Sequence, residues 1–169
     1  ISNSIGQGEV TLTPLQIANL GATIANRGFF YTPHVVREIE DCDIDSAYTE
    51  RHDVGIDRQY YDIVVRGMRQ AVLAGTCSAA ANPAFEVCGK TGTAQNRGKD
   101  HSVFMGFAPM DDPQIAIAVY VENGGFGAAF AVPIGGLMME QYLNGGLSDE
   151  SMARADEFEH REIVYGEER

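Results

Sequence analysis

The chain has 169 residues, of which 44% are apolar and 21% charged, with a formal net charge of −12. That length and composition suit one folded domain with a real core, and the acidic balance excludes nucleic acid as the expected partner. No run of 18 apolar residues occurs, so no segment reads as a membrane-spanning helix.

The opening stretch, Ile-Ser-Asn-Ser-Ile-Gly-Gln-Gly-Glu, reads as a loop. Starting at Ile1 without Met, the chain is expected to be a piece of a longer protein. Thr13-Pro14-Leu15-Gln16 then carries a helix start. Thr13 can cap, Pro14 suits the first turn and Gln16 completes a capping box. Leu15, Ala18, Asn19, Ala22 and Ala25 follow at helical spacing and suggest a closely packed face, with Gly28 as the expected stop. Tyr31 to Ile39 reads as an extended segment, placed at an edge or strand start by Pro33. Asp41, Asp43 and Asp45 imitate the opening of a calcium loop. The pattern fails at Ser46 and His52, which leaves a solvated turn.

A second helix is expected from Asp57, its cap, to Leu73, with Tyr61, Val64, Val65, Met68 and Val72 as the apolar stripe. Three strands follow, around Val87–Gln95, Ser102–Ala108 and Ile115–Val121, joined by short polar turns that imply an antiparallel meander. Ala128 to Leu143 reads as a last helix that packs Ile134, Leu137, Met138 and Met139 on the sheet and ends at Asn144-Gly145-Gly146. The fold class is α+β: an antiparallel sheet, three strands of it present, flanked by helices. Residues 148–169 carry eight acids and three bases and read as an acidic tail or exposed helix beyond a domain ending at 147.

The functional reading rests on Val87-Cys88-Gly89-Lys90-Thr91-Gly92-Thr93-Ala94-Gln95. As a phosphate-binding loop it fails twice: position 84 is Ala84 where a glycine is needed, and Gly92 stands where a helix should begin. As an edge strand it makes chemical sense. Lys90 supplies a cation, Thr91 and Thr93 supply hydroxyls for a carboxylate, and Gly92 lets another backbone approach and pair. Cys88 is a core residue whose nucleophilic reading lacks an activating base. Cys42, Cys77 and Cys88 show neither zinc spacing nor a disulfide framework, and His34, His52, His101 and His160 lack ligand spacing, so neither metal nor cofactor is expected. His101, beside the central hairpin, is assigned a structural role.

Several segments together resemble one family. They are Ser4-Ile5-Gly6-Gln7-Gly8-Glu9, Thr13-Pro14-Leu15-Gln16, Ile24-Ala25-Asn26-Arg27-Gly28, Gly89 to Gln95, Phe104-Met105-Gly106-Phe107-Ala108-Pro109, and Pro133-Ile134 with its helix. They are similar to the C-terminal part of the transpeptidase domain of class B penicillin-binding proteins, the elongation type in particular. The Lys-Thr-Gly triplet is one of three motifs of the serine acyl-transferases that include these proteins and β-lactamases.

The resemblance implies a peptidoglycan D,D-transpeptidase whose serine attacks a stem peptide and which β-lactams acylate. It implies Lys90 as the residue bonding the serine of the second motif, and Thr91, Gly92 and Thr93 at the substrate carboxylate. The Thr93 backbone N–H would be an oxyanion donor. It further implies an extracytoplasmic, periplasm-facing site in a membrane-anchored parent, and partners in the cell-elongation machinery including a glycosyltransferase. No serine here has Lys three residues on, and no Ser-x-Asn occurs, so both other motifs are expected upstream with two further strands. The outer edge of the Ile115–Val121 strand would then be open to self-association. A penicillin-sensing receptor or β-lactamase relative, and a non-catalytic scaffold of the cell-wall machinery, remain compatible with the same residues.

Overall fold

The computed structural model describes residues 8–163. Helix α1 (Pro14–Ala25) starts as its sequence dictates. The Gln16 amide donates to Thr13 Oγ1 at 3.3 Å and the Thr13 amide donates to Gln16 Oε1 at 2.8 Å, which satisfies two of the donors that a helix start leaves open. Its end differs from expectation. Arg27, one residue before the expected Gly28, already takes the left-handed conformation with φ 62°, and Gly28 follows at φ 114°. The guanidinium explains why a residue with a side chain sits there: it donates to Ala25 O, to Met110 O at 3.3 Å and to Asp62 Oδ1 at 3.1 Å. Leu15, expected on the packed face, lies exposed; Gly21, Thr23 and Ala25 are the buried positions.

Tyr31 to Ile39 is not a strand. Strand β1 (Phe29–Tyr31) ends where that segment was expected to begin and pairs with β2 (Arg51–Asp53) in a separate two-stranded ribbon. Side chains set this pairing: Phe30 stacks on His52 with ring centres 5.1 Å apart, and the Arg51 guanidinium lies 4.0 Å from the Phe29 ring centre. Between the two strands, Asp45 caps the single-turn helix α2 (Ser46–Thr49).

Helix α3 (Arg58–Ala74) is capped by Asp57 as expected and buries Tyr61, Val65, Met68 and Val72. Val64 departs from the expected stripe and is exposed. Strands β3 (Cys88–Ala94), β4 (His101–Ala108) and β5 (Ile115–Val121) form the antiparallel meander in the order β3-β4-β5. Helix α4 (Ala131–Asn144) covers one sheet face with Val132, Gly135 and Met139, and Gly145 ends it in the left-handed conformation. Met138, expected on the sheet, points outward. The contact is made instead by Gly135: a Cβ there would sit 2.5 Å from Phe104 Cδ1, so only glycine lets the helix come so near. The opposite face packs Met105 and Phe107 against Ala25 of α1 and Val65 and Met68 of α3.

The first half of the acidic segment forms helix α5 (Asp149–Glu159), capped by Ser148. It docks through the buried Glu140 of α4, whose carboxylate accepts from the Ser148 amide at 2.9 Å and from Ser151 Oγ at 2.6 Å. Burial pushes this carboxyl up, but the Ser151 and Ser148 bonds with nearby Arg154 outweigh it and hold the pKa below its ordinary value. Phe158 meets Phe130 edge-on at 5.9 Å, while Arg161 lies over Phe130 and donates to Ala129 O at 2.9 Å.

Candidate active site

Gly89, Lys90 and Thr91 lie inside strand β3, followed by more strand. A phosphate-binding loop needs a helix there, so that reading is removed. Among the described residues β3 is an edge strand, paired to β4 alone. Arg69 of α3 anchors its entry by donating to Val87 O at 3.1 Å.

The register fixes which residues share a face. Thr91 stands opposite Phe104 and Thr93 opposite Ser102; Lys90 stands opposite Met105 and Gly92 opposite Val103. Since side chains alternate along a strand, Thr91 and Thr93 lie on the α4 face, and Lys90 and Gly92 on the other. The motif therefore straddles an exposed edge. Lys90 is exposed, and its Nζ donates to Thr91 O at 2.5 Å. The Thr91 hydroxyl lies 2.8 Å from the hydroxyl of Thr76, just beyond the end of α3. One cation, the Thr91 hydroxyl and the outer edge of a strand thus meet at one border, an arrangement suited to an extended peptide that ends in a carboxylate.

The cysteines give this border no nucleophile. Cys88 is wholly buried, and desolvation, opposed only in part by Arg69 and Arg27, pushes its thiol up to about 12. Cys77 is equally buried and its thiol is raised for the same first reason. His101 accepts a hydrogen bond from the Asn123 amide on Nδ1 at 3.0 Å and packs on Tyr120, which makes it a fastening of the β4 start. Among the described residues no group of three His, Cys, Asp or Glu side chains gathers to hold a metal, and no helix is long and apolar enough to cross a membrane.

The sequence profile of one family, described as the penicillin binding protein transpeptidase domain, matches residues 1–140. The chain belongs to this family. A curated relative, the peptidoglycan D,D-transpeptidase MrdA of Acinetobacter baumannii, is 39% identical over 153 residues, covering 78% of this chain and 22% of the relative. The chain thus spans about a fifth of that relative's length. Among solved structures, Pseudomonas aeruginosa PBP2 in complex with WCK 5153 superposes with a TM-score of 0.74 at 36% identity, covering 96% of this chain and 35% of that one. Penicillin-binding protein A from Mycobacterium tuberculosis, as its ceftriaxone acyl-enzyme, gives 0.72 at 32% identity, covering 84% and 35%.

Within this transpeptidase sheet, three residues take on importance that sequence reasoning missed. Thr76, just past the end of α3, is the neighbour of the Thr91 hydroxyl across fifteen positions. Ser102 read as an ordinary strand residue, yet it is wholly buried. Gly127 read as loop, yet its Cα lies against the backbone of Gly92 and Val103. No local signal announces any of these contacts, because each partner comes from a distant part of the chain.

Proposed function

We propose that this chain is the C-terminal part of the catalytic domain of an elongation-type peptidoglycan D,D-transpeptidase. The observation that carries the reading is the exposed β3 edge, on which Lys90, Thr91, Gly92 and Thr93 stand in a domain of this family. A serine from a Ser-x-x-Lys motif outside these 169 residues attacks the penultimate D-alanine carbonyl of a stem peptide. The peptide bond breaks and the terminal D-alanine leaves with a proton on its amine. The amine of a neighbouring stem peptide then displaces the serine and makes the cross-link. β-Lactams enter by the same attack and remain as the acyl-enzyme.

In this reading Lys90 bonds the serine of the Ser-x-Asn motif and supplies positive potential to the site. The Thr91 and Thr93 hydroxyls receive the substrate or drug carboxylate. Gly92 admits the substrate backbone, and the Thr93 N–H donates to the oxyanion. A preorganised donor of this kind is worth about 3–4 kcal/mol in the transition state. The wider reading has a membrane-anchored parent with this domain on the periplasmic side, working with cell-elongation proteins that include a glycosyltransferase. Residues 1–147 form the C-terminal portion of the transpeptidase unit and 148–169 an appended acidic segment.

The test uses a protein extended N-terminally to the length of the relatives, incubated with penicillin G and weighed intact. One drug mass on the extended protein, slowed in Lys90→Ala and absent on the 169 residues alone, supports the reading. No adduct on the extended protein overturns it in favour of a non-catalytic scaffold.

A further inference from the structure

Ser102 is the register partner of Thr93, and its side chain is wholly buried. A serine hydroxyl has one proton to donate and lone pairs to accept with. All of this capacity is turned on the segment that leads into α4: Ser102 Oγ lies 3.0 Å from Phe126 O and 3.2 Å from Gly127 O, and it accepts from the Ala131 amide at 3.1 Å. Ala131 is the first residue of α4, and the residue before it, Phe130, offers no capping side chain. Ser102 therefore caps that helix from a neighbouring strand.

The loop that it holds lies directly on the catalytic motif. A Cβ on Gly127 would come 2.6 Å from Val103 O, 2.8 Å from Gly92 O and 3.1 Å from Thr91 Cβ. The first two are closer than a real Cβ comes, and both oxygens are backbone, so a side chain at 127 would force the loop off the strands. Two more bonds keep the loop in place: the Gly125 amide donates to Asp100 O at 2.7 Å, and the Val132 amide donates to Gly127 O at 3.0 Å.

We infer that Ser102 is a positioning residue for acyl transfer: its hydroxyl locks the loop at 124–127 against the Thr91–Thr93 segment and so holds that segment in its reactive shape. The inference rests on the transpeptidase reading above and adds to it a residue that touches neither substrate nor nucleophile. Acyl transfer is sensitive to such support, since a displacement of about 1 Å in a positioned group can cost about 10²-fold in rate. A capping role alone would cost stability without touching chemistry.

The experiment compares Ser102→Ala, Gly127→Ala and Glu140→Ala in the N-terminally extended protein. Penicillin G is the probe, with reversible binding and the acylation step measured separately, and hydrogen exchange followed over residues 124–131. Ser102→Ala is expected to speed that exchange about tenfold and to slow the acylation step five- to tenfold, with reversible binding unchanged. Gly127→Ala is expected to slow the same step with the hydroxyl still present. Glu140→Ala, remote from the loop, is expected to lower the melting temperature and leave the acylation step alone.

Unchanged exchange in Ser102→Ala overturns the lock. So does an equal loss of acylation in Ser102→Ala and Glu140→Ala, which would mark a general effect of instability. If the unaltered protein takes up no drug, the transpeptidase reading falls, and with it the assignment of Ser102 to acyl transfer. The exchange result then reports on the loop alone.

Discussion

Two charged side chains, Lys90 at the β3 edge and Glu140 at the α4–α5 junction, are treated in opposite ways. Glu140 is buried and has donors from Ser148 and Ser151, so its charge is spent on joining two helices. Lys90 is exposed, and it donates to the next carbonyl of its own strand. An ammonium has three protons to donate, so most of that capacity is turned to solvent. A charge that serves structure is saturated by its neighbours, because an unpaired buried charge is costly. A charge that serves chemistry keeps open valences at a surface which a substrate can reach.

The largest effect that would break this comparison is expected at Lys90. Lys90→Ala in the extended protein should slow acylation by penicillin G about 10²–10³-fold, the loss typical of a removed electrostatic contact in acyl transfer, while the melting temperature stays put. A fall in melting temperature with acylation intact would make Lys90 structural. Glu140→Ala should do the reverse. It strands the Ser148 amide and the Ser151 hydroxyl at a cost of about 2 kcal/mol, or roughly 4–8 °C by calorimetry on a domain of this size. Undisturbed melting would show that α5 is held without Glu140, by Phe158, Arg161 and the bond from Arg154 to Ala79 O at 3.2 Å.

Thr76→Val sharpens the comparison on the catalytic side. It keeps the shape of Thr76 and removes the hydroxyl 2.8 Å from Thr91, and about a fivefold slower acylation is expected, corresponding to about 1 kcal/mol for one hydrogen bond. Thr76→Ser should restore the rate, and a Thr76→Val protein that acylates as fast as the parent would detach Thr76 from the site. The smallest and most gradual effect is with pH. The Glu140 carboxyl is held below its ordinary value, so its stabilisation is complete above about pH 4.3 and is lost as pH falls through the lowered folded-state value. Melting temperature should therefore decline on acidification below that range, less steeply in Glu140→Gln. Parallel curves for the two proteins would contradict the assignment.

Much of the scaffold was legible in the chain because it is locally determined. Thr13, Pro14 and Gln16 announce α1, Asp57 announces α3, and alternating apolar residues with short polar turns announce β3, β4 and β5 in their order. The edge position of Lys90 followed from that order. Errors came where a distant partner outweighs local preference. Arg27 takes a glycine's conformation because Asp62 and Met110 receive its guanidinium, and β1 shifts upstream because Phe29 and Phe30 find Arg51 and His52. Met138 turns outward because Gly135 lets α4 sink onto Phe104.

The sequence by itself determined the fold class, the meander and the residues of strand β3, since caps, turns and a period of two act within a few positions. Only the tertiary structure decided that Thr76 meets Thr91, that Ser102 caps α4 and grips the loop beside the motif, and that the acidic helix α5 docks on a buried glutamate. Those contacts join residues that lie eleven to twenty-nine positions apart, and they exist only once the sheet and its two covering layers have brought the partners within hydrogen-bond reach.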